Sequence, residues 1–187
     1  MRTFEWPIED IVTAHPDLYL EHCAVMAVAL MGRRAASPYE FLVECESFCP
    51  PEVEDESRFL LRVVWSDETE VGAARVWLTE QPKPIIERAA VGLAALTFAH
   101  LVPNGQIRVT AKGERADYWL PRLRRVLEIS GTEQSRELPR RHRVKTAQML
   151  ANPWRWDGYV FVCCFGPGRG LIRWSYHTQE DQEDASV

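Results

Sequence analysis

The sequence predicts a single α/β domain in which helices flank one mixed β-sheet. The 187 residues only slightly exceed one domain of about 150 residues, which favours one domain with an elaboration over two domains. Hydrophobic residues make up 46% of the chain and charged residues 26%, so the chain can bury a core. Apolar stretches with helical spacing alternate with short strand-like stretches, a pattern typical of α/β folds.

The N-terminal part predicts one core helix followed by strands. The helix runs from Asp17 to Arg34 and is apolar on nearly all sides at its centre. Strands are predicted at residues 40–48 and 58–66, joined by an acidic loop, and a third at 70–80. Pro82 and Pro84 then interrupt the chain and mark the best internal boundary.

The part after the prolines is predicted to follow the order α-β-β-β-α-β-β. A second apolar helix covers residues 85–101, and two strands with a tight turn at 112–114 cover residues 106–121. A third strand follows at 122–133 and a helix with a basic turn at 137–153. Residues 158–177 predict a β-hairpin around the turn GPGRG.

The net charge of −5 is the sum of an acidic first part of the chain, a basic second part and an acidic tail. Residues 1–84 carry 7 basic and 16 acidic side chains, whereas residues 85–178 carry 15 basic and 7 acidic ones. We therefore distinguish an acidic N-terminal extension (1–83), a core (84–178) and an acidic tail (179–187). The basic core is compatible with a nucleic-acid partner, and the acidic extension with a protein partner.

The cysteines and the N-terminus predict a cytoplasmic protein with no membrane partner. The five cysteines are an odd number without a secretory signal, which favours free thiols in a reducing compartment. Cys163 and Cys164 are neighbours in a predicted strand and should point to opposite faces. No apolar run approaches the roughly 20 residues of a membrane span.

Three acids interrupt apolar or strand-like surroundings. Glu87 lies in the first turn of the second helix, and Asp117 and Glu128 lie on successive predicted strands joined by a short turn. If those strands pair, the carboxylates of Asp117 and Glu128 converge, and two carboxylates with a backbone carbonyl are sufficient to hold Mg²⁺. The alternative is structural, with Asp117 paired to Arg115 or Arg122 and Glu128 paired across the sheet to an arginine.

The segments GERADYWL, VLEISGTE and KTAQ, preceded by a helix with IIER, resemble the core of the PD-(D/E)XK, or restriction-endonuclease-like, nuclease superfamily. The resemblance covers about residues 84–165 and implies an α-β-β-β-α-β core. It implies that Asp117 and Glu128 bind Mg²⁺ together with the backbone carbonyl of Ile129, and that Glu87 assists. Its motifs are short and degenerate.

The sequence departs from the family pattern at the motif lysine, where it has Ser130. A hydroxyl cannot supply the positive charge that this lysine offers to the attacking water or the transition state. In some members of the superfamily the lysine lies on a neighbouring element, and the candidates here are Lys145 and Lys112. Gln148, one helical turn after Lys145, can point the same way.

The expected function is therefore a Mg²⁺-dependent nuclease, with Glu87, Asp117, Glu128 and Lys145 as catalytic residues. An arginine cluster would hold the phosphate backbone: Arg122, Arg124, Arg125, Arg140, Arg141 and Arg143. The rival interpretation is a non-catalytic nuclease-like binding or assembly module of a larger complex, which the departure at Ser130 favours. A third is an inhibitor that binds a basic partner through its acidic half.

One further segment, NPWRWDG, has two tryptophans on either side of Arg155. Tryptophans can stack on nucleic-acid bases, but core packing is commoner. The segment predicts either a lid over the sheet edge or a partner-binding patch.

Overall fold

The computed structural model describes residues 1–53, 56–110 and 116–180, and these form one mixed sheet of eight strands with five α-helices. The strands are β1 Arg2–Pro7, β2 Tyr39–Glu46, β3 Arg58–Val64, β4 Arg108–Val109, β5 Tyr118–Leu120, β6 Arg125–Thr132, β7 Gly158–Cys164 and β8 Gly170–His177. The helices are α1 Asp10–Ala14, α2 Glu21–Gly32, α3 Asp67–Thr79, α4 Pro82–Leu101 and α5 Leu138–Leu150.

The strand order across the sheet is β1-β3-β2-β8-β7-β6-β5-β4. Three neighbouring pairs are parallel, namely β1 with β3, β2 with β8 and β6 with β7, and the other pairs are antiparallel. The strands that precede Pro82 therefore join the sheet through β2, which lies beside the last strand. The predicted α/β class with one mixed sheet is confirmed.

Helices cover the two faces of the sheet unequally. Helices α2 and α4 pack together against one face, and α3 packs on α2, whereas α5 lies on the opposite face over β6 and β7. Side chains of β7 alternate between the two layers, as the period of a strand requires. Cys163 belongs to the α4 layer and Cys164 to the α5 layer, so the prediction that they face opposite sides is confirmed.

From Pro82 onward the element order is α-β-β-β-α-β-β, as predicted. The predicted turn at 112–114 and the acidic tail from residue 181 lie outside the described residues. Pro82 opens α4 at its first position, where its missing N–H has no helical partner to lose.

The prediction of a strand at residues 70–80 is wrong, because this stretch belongs to α3. Ser66 caps that helix by accepting a hydrogen bond from the Thr69 backbone N–H, and acidic residues occupy its first turn, where they complement the helix dipole. Its buried residues Ala73 and Val76 are three apart, a helical spacing. The first strand, β1, was not predicted.

By length and composition alone, α4 could cross a membrane, with a hydropathy of 1.2, contrary to the expectation that no apolar run reaches that length. In the fold, 67% of its most apolar window is buried, which is also the property of a core helix. Its tight contact with β6 depends on Gly131, since a Cβ there would lie 2.6 Å from the Ile86 carbonyl oxygen.

Candidate active site

Asp117 and Glu128 lie side by side on the α5 face of the sheet. Strands β5 and β6 pair antiparallel with Tyr118 opposite Leu127, so Asp117, just before β5, lies beside Glu128. The Asp117 backbone N–H donates a hydrogen bond to Glu128 Oε1 at 3.2 Å. Even-numbered residues of β6 face α5, and Glu128 is therefore 1% exposed between the sheet and that helix.

Lys145 comes from α5 and contacts both carboxylates. Its Nζ lies 2.5 Å from Asp117 Oδ2 and 2.7 Å from Glu128 Oε2, and both contacts are ion pairs. Among the described residues neither acid pairs with an arginine: the ion-pair partner of both is the helix lysine, and Arg122 bonds to Asn104. The other arginine considered for Asp117, Arg115, lies outside the described residues. The two acids and the predicted substitute for the motif lysine therefore form one cluster.

The electrostatics of this cluster leave it able to accept further positive charge. Burial, with a smaller contribution from Asp117, raises the pKa of Glu128 to about 7 despite the opposing hydrogen bond and charge of Lys145. Burial alone would lower the pKa of Lys145, but its hydrogen bonds to the two carboxylates outweigh this effect and raise it, so the amine stays protonated. One ammonium then faces two carboxyl groups, and a proton or a cation can compensate the second.

The cluster lies in a cleft of about 680 Å³ between α4, α5 and the sheet. Besides Asp117 and Lys145, the described residues that line it are Lys83, Glu87, Val91, Tyr118, Ile129, Ser130, Glu137, Arg140, Arg141, Val144 and Gln148. The cleft thus brings together residues of two helices and two strands that are far apart in the sequence. Gln148 points into it, as its spacing from Lys145 predicted.

Glu87 lines the same cleft but does not reach the other two acids. Its side chain is 62% exposed and pairs with Lys83 at 3.8 Å, one turn earlier on α4. In the described residues no three acidic, histidine or cysteine side chains gather closely enough to hold a metal ion together. Glu87 therefore lies at the wall of the cleft, away from Asp117 and Glu128.

The six predicted backbone-binding arginines fall into two groups. Arg140 and Arg141 line the cleft, and Arg143 is exposed on the same helix. Arg122, Arg124 and Arg125 lie at the β5–β6 turn, before the start of β6 or at its first residue, and none lines the cleft. They were grouped with the arginines of α5 because they precede them in the same basic stretch, but the part of β6 that lines the cleft begins only at Ile129.

Arg125 has a local role instead. It pairs with Asp157 at 3.6 Å, its guanidinium lies 5.8 Å from the centre of the Tyr176 ring, and it lines a different cavity. Arg140 and Arg143, by contrast, are exposed and form no ion pair with any described residue.

At the position of the motif lysine, Ser130 receives a hydrogen bond from a cationic side chain. Arg141 Nη1 donates to Ser130 Oγ at 3.4 Å, while the same guanidinium pairs with Glu137 at 2.9 Å. The cleft is also lined by residues that were not predicted for the site: Lys83, Val91, Tyr118, Glu137 and Val144. Helical spacing could have identified the latter two, since residues 137, 141, 144, 145 and 148 fall on one face of a helix.

The donor set suits a hard divalent cation. Asp117 Oδ2 and Glu128 Oε2 bond to the same ammonium nitrogen, so they are close enough to share one ion at the roughly 2.0–2.6 Å of hard-cation sites. Mg²⁺ commonly takes only one or two carboxylates and fills its remaining positions with water and substrate oxygens. Ile129, the residue between Glu128 and Ser130 whose carbonyl was the predicted extra ligand, also lines the cleft.

Several acidic side chains of the N-terminal half are paired with arginines of the same protein. On the sheet face away from α2, Glu44 pairs with Arg58 and Glu40 with Arg169, each at 2.9 Å. These carboxylates are thus partly compensated by neighbouring strands.

Comparisons of the chain with protein-family models, with curated proteins and with solved structures found no match.

Proposed function

We propose that the protein is a divalent-metal-dependent phosphodiesterase that cleaves nucleic acid, with the core of a restriction-endonuclease-like nuclease. The observation that carries this proposal is the convergence of Asp117, Glu128 and Lys145 in an open cleft. Lys145 stands on α5, outside the motif, and still reaches both carboxylates, as a migrated motif lysine must. A lysine that served only to neutralise buried acids would not need a cleft of this size beside it.

The proposal gives roles to the carboxylate–lysine cluster, Ile129 and two cleft arginines. The carboxylates of Asp117 and Glu128, with the Ile129 carbonyl, would hold Mg²⁺, which when bound polarises the phosphate and lowers the pKa of a bound water. The Lys145 ammonium donates to an oxygen that gains negative charge in the transition state. Arg140 and Arg141 hold the phosphates on either side.

The proposal requires Lys145 to release the carboxylates when the ion binds. Its side chain is 17% exposed and its amine reaches the cleft along a flexible four-carbon stem, so it can turn toward the substrate phosphate. The cation and the ammonium therefore compete for the same oxygens in the free protein.

The deciding experiment compares Asp117→Asn with Asp157→Asn. Both variants remove one ion-paired carboxylate, but Asp157 pairs with Arg125 away from the cleft. Labelled single-stranded and duplex DNA and RNA are incubated with each protein in Mg²⁺, Mn²⁺ or EDTA. We expect the wild type and Asp157→Asn to cleave only with metal, and Asp117→Asn to be slower by at least about 100-fold, because it loses a metal ligand.

Circular dichroism and thermal melting check that both variants fold. Undiminished cleavage by Asp117→Asn, or equal cleavage in EDTA, would overturn the proposal. If the folded wild type binds nucleic acid but cleaves none with any metal, the proposal is also wrong, and the nuclease-like binding module is the better description.

A further inference from the structure

Three tryptophans form a stacked row on the α5 face of the sheet. Trp119 on β5 stacks on Trp156 with ring centroids 5.8 Å apart, and Trp156 stacks on Trp154 at 5.1 Å, both with interplanar angles of 25°. All three rings are only partly buried. Trp154 and Trp156 pack against the smaller core cluster that also includes Val126 and Met149, which fixes the inner side of the row.

The row begins beside the candidate active site. Asp117 directly precedes β5 and lies beside Glu128, and Trp119 is two residues later on β5 opposite Val126, so the two are about 7 Å apart along the extended chain on the same face. Trp119 pairs with Val126 of β6, two residues before Glu128 on the same face. A chain bound across Asp117 would therefore meet the first ring of the row immediately beyond it.

A second cavity on α5 adjoins the cleft and extends toward the loop of the row. Val144 and Gln148 line the cleft and a second, largely apolar cavity of about 480 Å³, whose other described lining residues are Ala147 and Ala151. Ala151 directly follows α5 and leads into the loop that carries Trp154. The cavity that adjoins the cleft therefore extends along α5 to the residue from which this loop begins.

The loop of Trp154 and Trp156 is held rigidly. The buried Asn152 side chain donates to the Met149 and Trp156 carbonyls at 2.7 and 2.8 Å and accepts from the Trp156 backbone N–H at 3.1 Å. This arrangement holds Arg155, between the two tryptophans, at a φ of 50°, which a non-glycine residue adopts only when its surroundings impose it.

The result is an exposed cation beside stacked rings. Arg155 is exposed and forms no hydrogen bond or ion pair through its side chain with any described residue. Arg140 and Arg143 are likewise exposed on α5 and make no ion pair with a described residue. Aromatic faces with flanking unpaired cations are complementary to the bases and phosphates of a single strand.

We propose that the tryptophan row binds unpaired bases, so that the substrate is a nucleic acid with a single-stranded segment next to the scissile phosphate. This inference rests on the proposed function for the scissile phosphate. Duplex DNA offers no free base faces to such a row, whereas single-stranded DNA and RNA both do. The chemistry of stacking is shared by the two, and the test separates them.

The test measures binding without cleavage, in the Asp117→Asn protein and in EDTA. Fluorescence anisotropy compares a labelled oligo(dT), an oligo(U) and a blunt duplex of equal length. We expect Trp154→Ala and, independently, Arg155→Glu to weaken single-strand binding by about tenfold, in the range of one stacked base or one lost phosphate contact, and Trp154→Phe to weaken it less because a ring remains.

The matched controls lie on the other side of the sheet. Trp77→Ala removes a partly buried tryptophan of α3 that stacks with Arg33, and Arg75→Glu reverses an exposed charge of the same helix. Both should bind single strands like the parent. Arg155 has no described side-chain partner, so its variant is informative even if Trp154→Ala does not fold.

The inference is overturned if Arg155→Glu and a folded Trp154→Ala bind single strands as the controls do, or if the blunt duplex binds as tightly as the single strand. Its failure is distinct from failure of the proposed function. If the wild type cleaves with metal but the row variants bind normally, only the inference is wrong. If binding depends on the row but the wild type cleaves nothing, only the catalytic proposal is wrong.

Discussion

Lys145 contacts both carboxylates of the cleft, so its charge has two effects that a substitution can separate. In the free protein the ammonium compensates Asp117 and Glu128, and during the proposed reaction it stabilises negative charge on the phosphate. The first effect opposes metal binding and the second promotes cleavage. Removal of the amine should therefore change the two measurements in opposite directions.

We expect Lys145→Met to bind Mg²⁺ at least about fivefold more tightly, because a like charge is removed beside the ion. Cleavage should fall by about 100-fold or more, the usual cost of losing a transition-state donor. Isothermal titration calorimetry and single-turnover cleavage give the two values. Lys83→Met is the control, since Lys83 also lines the cleft but is 83% exposed and pairs only with Glu87 among described residues.

Retained cleavage by Lys145→Met would show that the lysine only balances charge. Tighter metal binding with lost cleavage is the combination that a structural ion pair does not produce.

The candidate site was predicted from the sequence more completely than its surroundings. Asp117, Glu128 and Lys145 were identified because each stands on a short element whose type can be read from local periodicity. Glu87 was placed with them by analogy, but a position on a helix does not give the direction of a long exposed side chain. The arginines near residue 125 were grouped with those of α5 because of their closeness in sequence. In the fold they lie at or before the start of β6 and do not line the cleft.

At the scale of the elements, the cleft depends on how closely α4 approaches β6. Gly131 allows this approach, because a Cβ there would meet the Ile86 carbonyl oxygen at 2.6 Å and the Ala90 Cβ at 3.1 Å. The helix backbone would have to move to relieve the clash, and with it the cleft wall that carries Glu87.

We therefore expect Gly131→Ala to lower the free energy of unfolding by about 1–3 kcal/mol, as overpacked core positions do. Gly32→Ala is the matched control, because nothing lies within 4 Å of a Cβ at the end of α2. Urea denaturation measures both. Equal midpoints for the two variants would mean that the contact between α4 and β6 adapts without cost.

Helix α5, which carries Lys145, is fixed to β8 by a buried histidine. His142 Nε2 and Ser175 Oγ are 2.8 Å apart, and both side chains are buried. Burial, with the nearby charges of Arg173 and His177, lowers the pKa of His142 to about 4. The fold therefore binds the neutral ring, and the unfolded chain takes up a proton there at higher pH than the folded protein does.

Because the pKa of His142 is lower in the fold, its contribution to stability is complete above its ordinary value of 6.5 and is lost as the pH falls toward about 4. Over that window we expect the free energy of unfolding to fall by up to about 3 kcal/mol more in the wild type than in His142→Gln. Urea denaturation at several pH values gives the difference. Parallel pH profiles would contradict the prediction. Burial also lowers the pKa of His15, but that residue is present in both proteins and its effect cancels in the comparison.

Helix α3 shows why local patterns predicted some elements wrongly. Its Val and Trp residues favour a strand by propensity, but the Ser66 cap and the acids of the first turn favour a helix, and packing on α2 decides between them. The stretch before residue 8 is too short for its periodicity to distinguish a strand from a loop. It becomes β1 because β3 provides a partner.

For the whole molecule, the α/β class and the element order after Pro82 followed from the sequence, but the joining of the two parts did not. The pairing of β2 with β8 depends on contacts between distant segments, for which a single sequence carries no local pattern. The N-terminal strands therefore extend one continuous sheet, a fact that charge composition could not reveal.

The pairing of β2 with β8 also has a consequence for the order of folding. Phe41 pairs with Gly170 and Glu46 with Ser175. Almost all of the described chain must therefore be synthesised before β8, the second neighbour of β2, is available. During synthesis the edge of β2 has no partner on that side until β8 leaves the ribosome. Such long loop closures slow folding and leave a strand edge open to wrong partners, so newly made chains should depend on chaperones more than the size of the protein suggests.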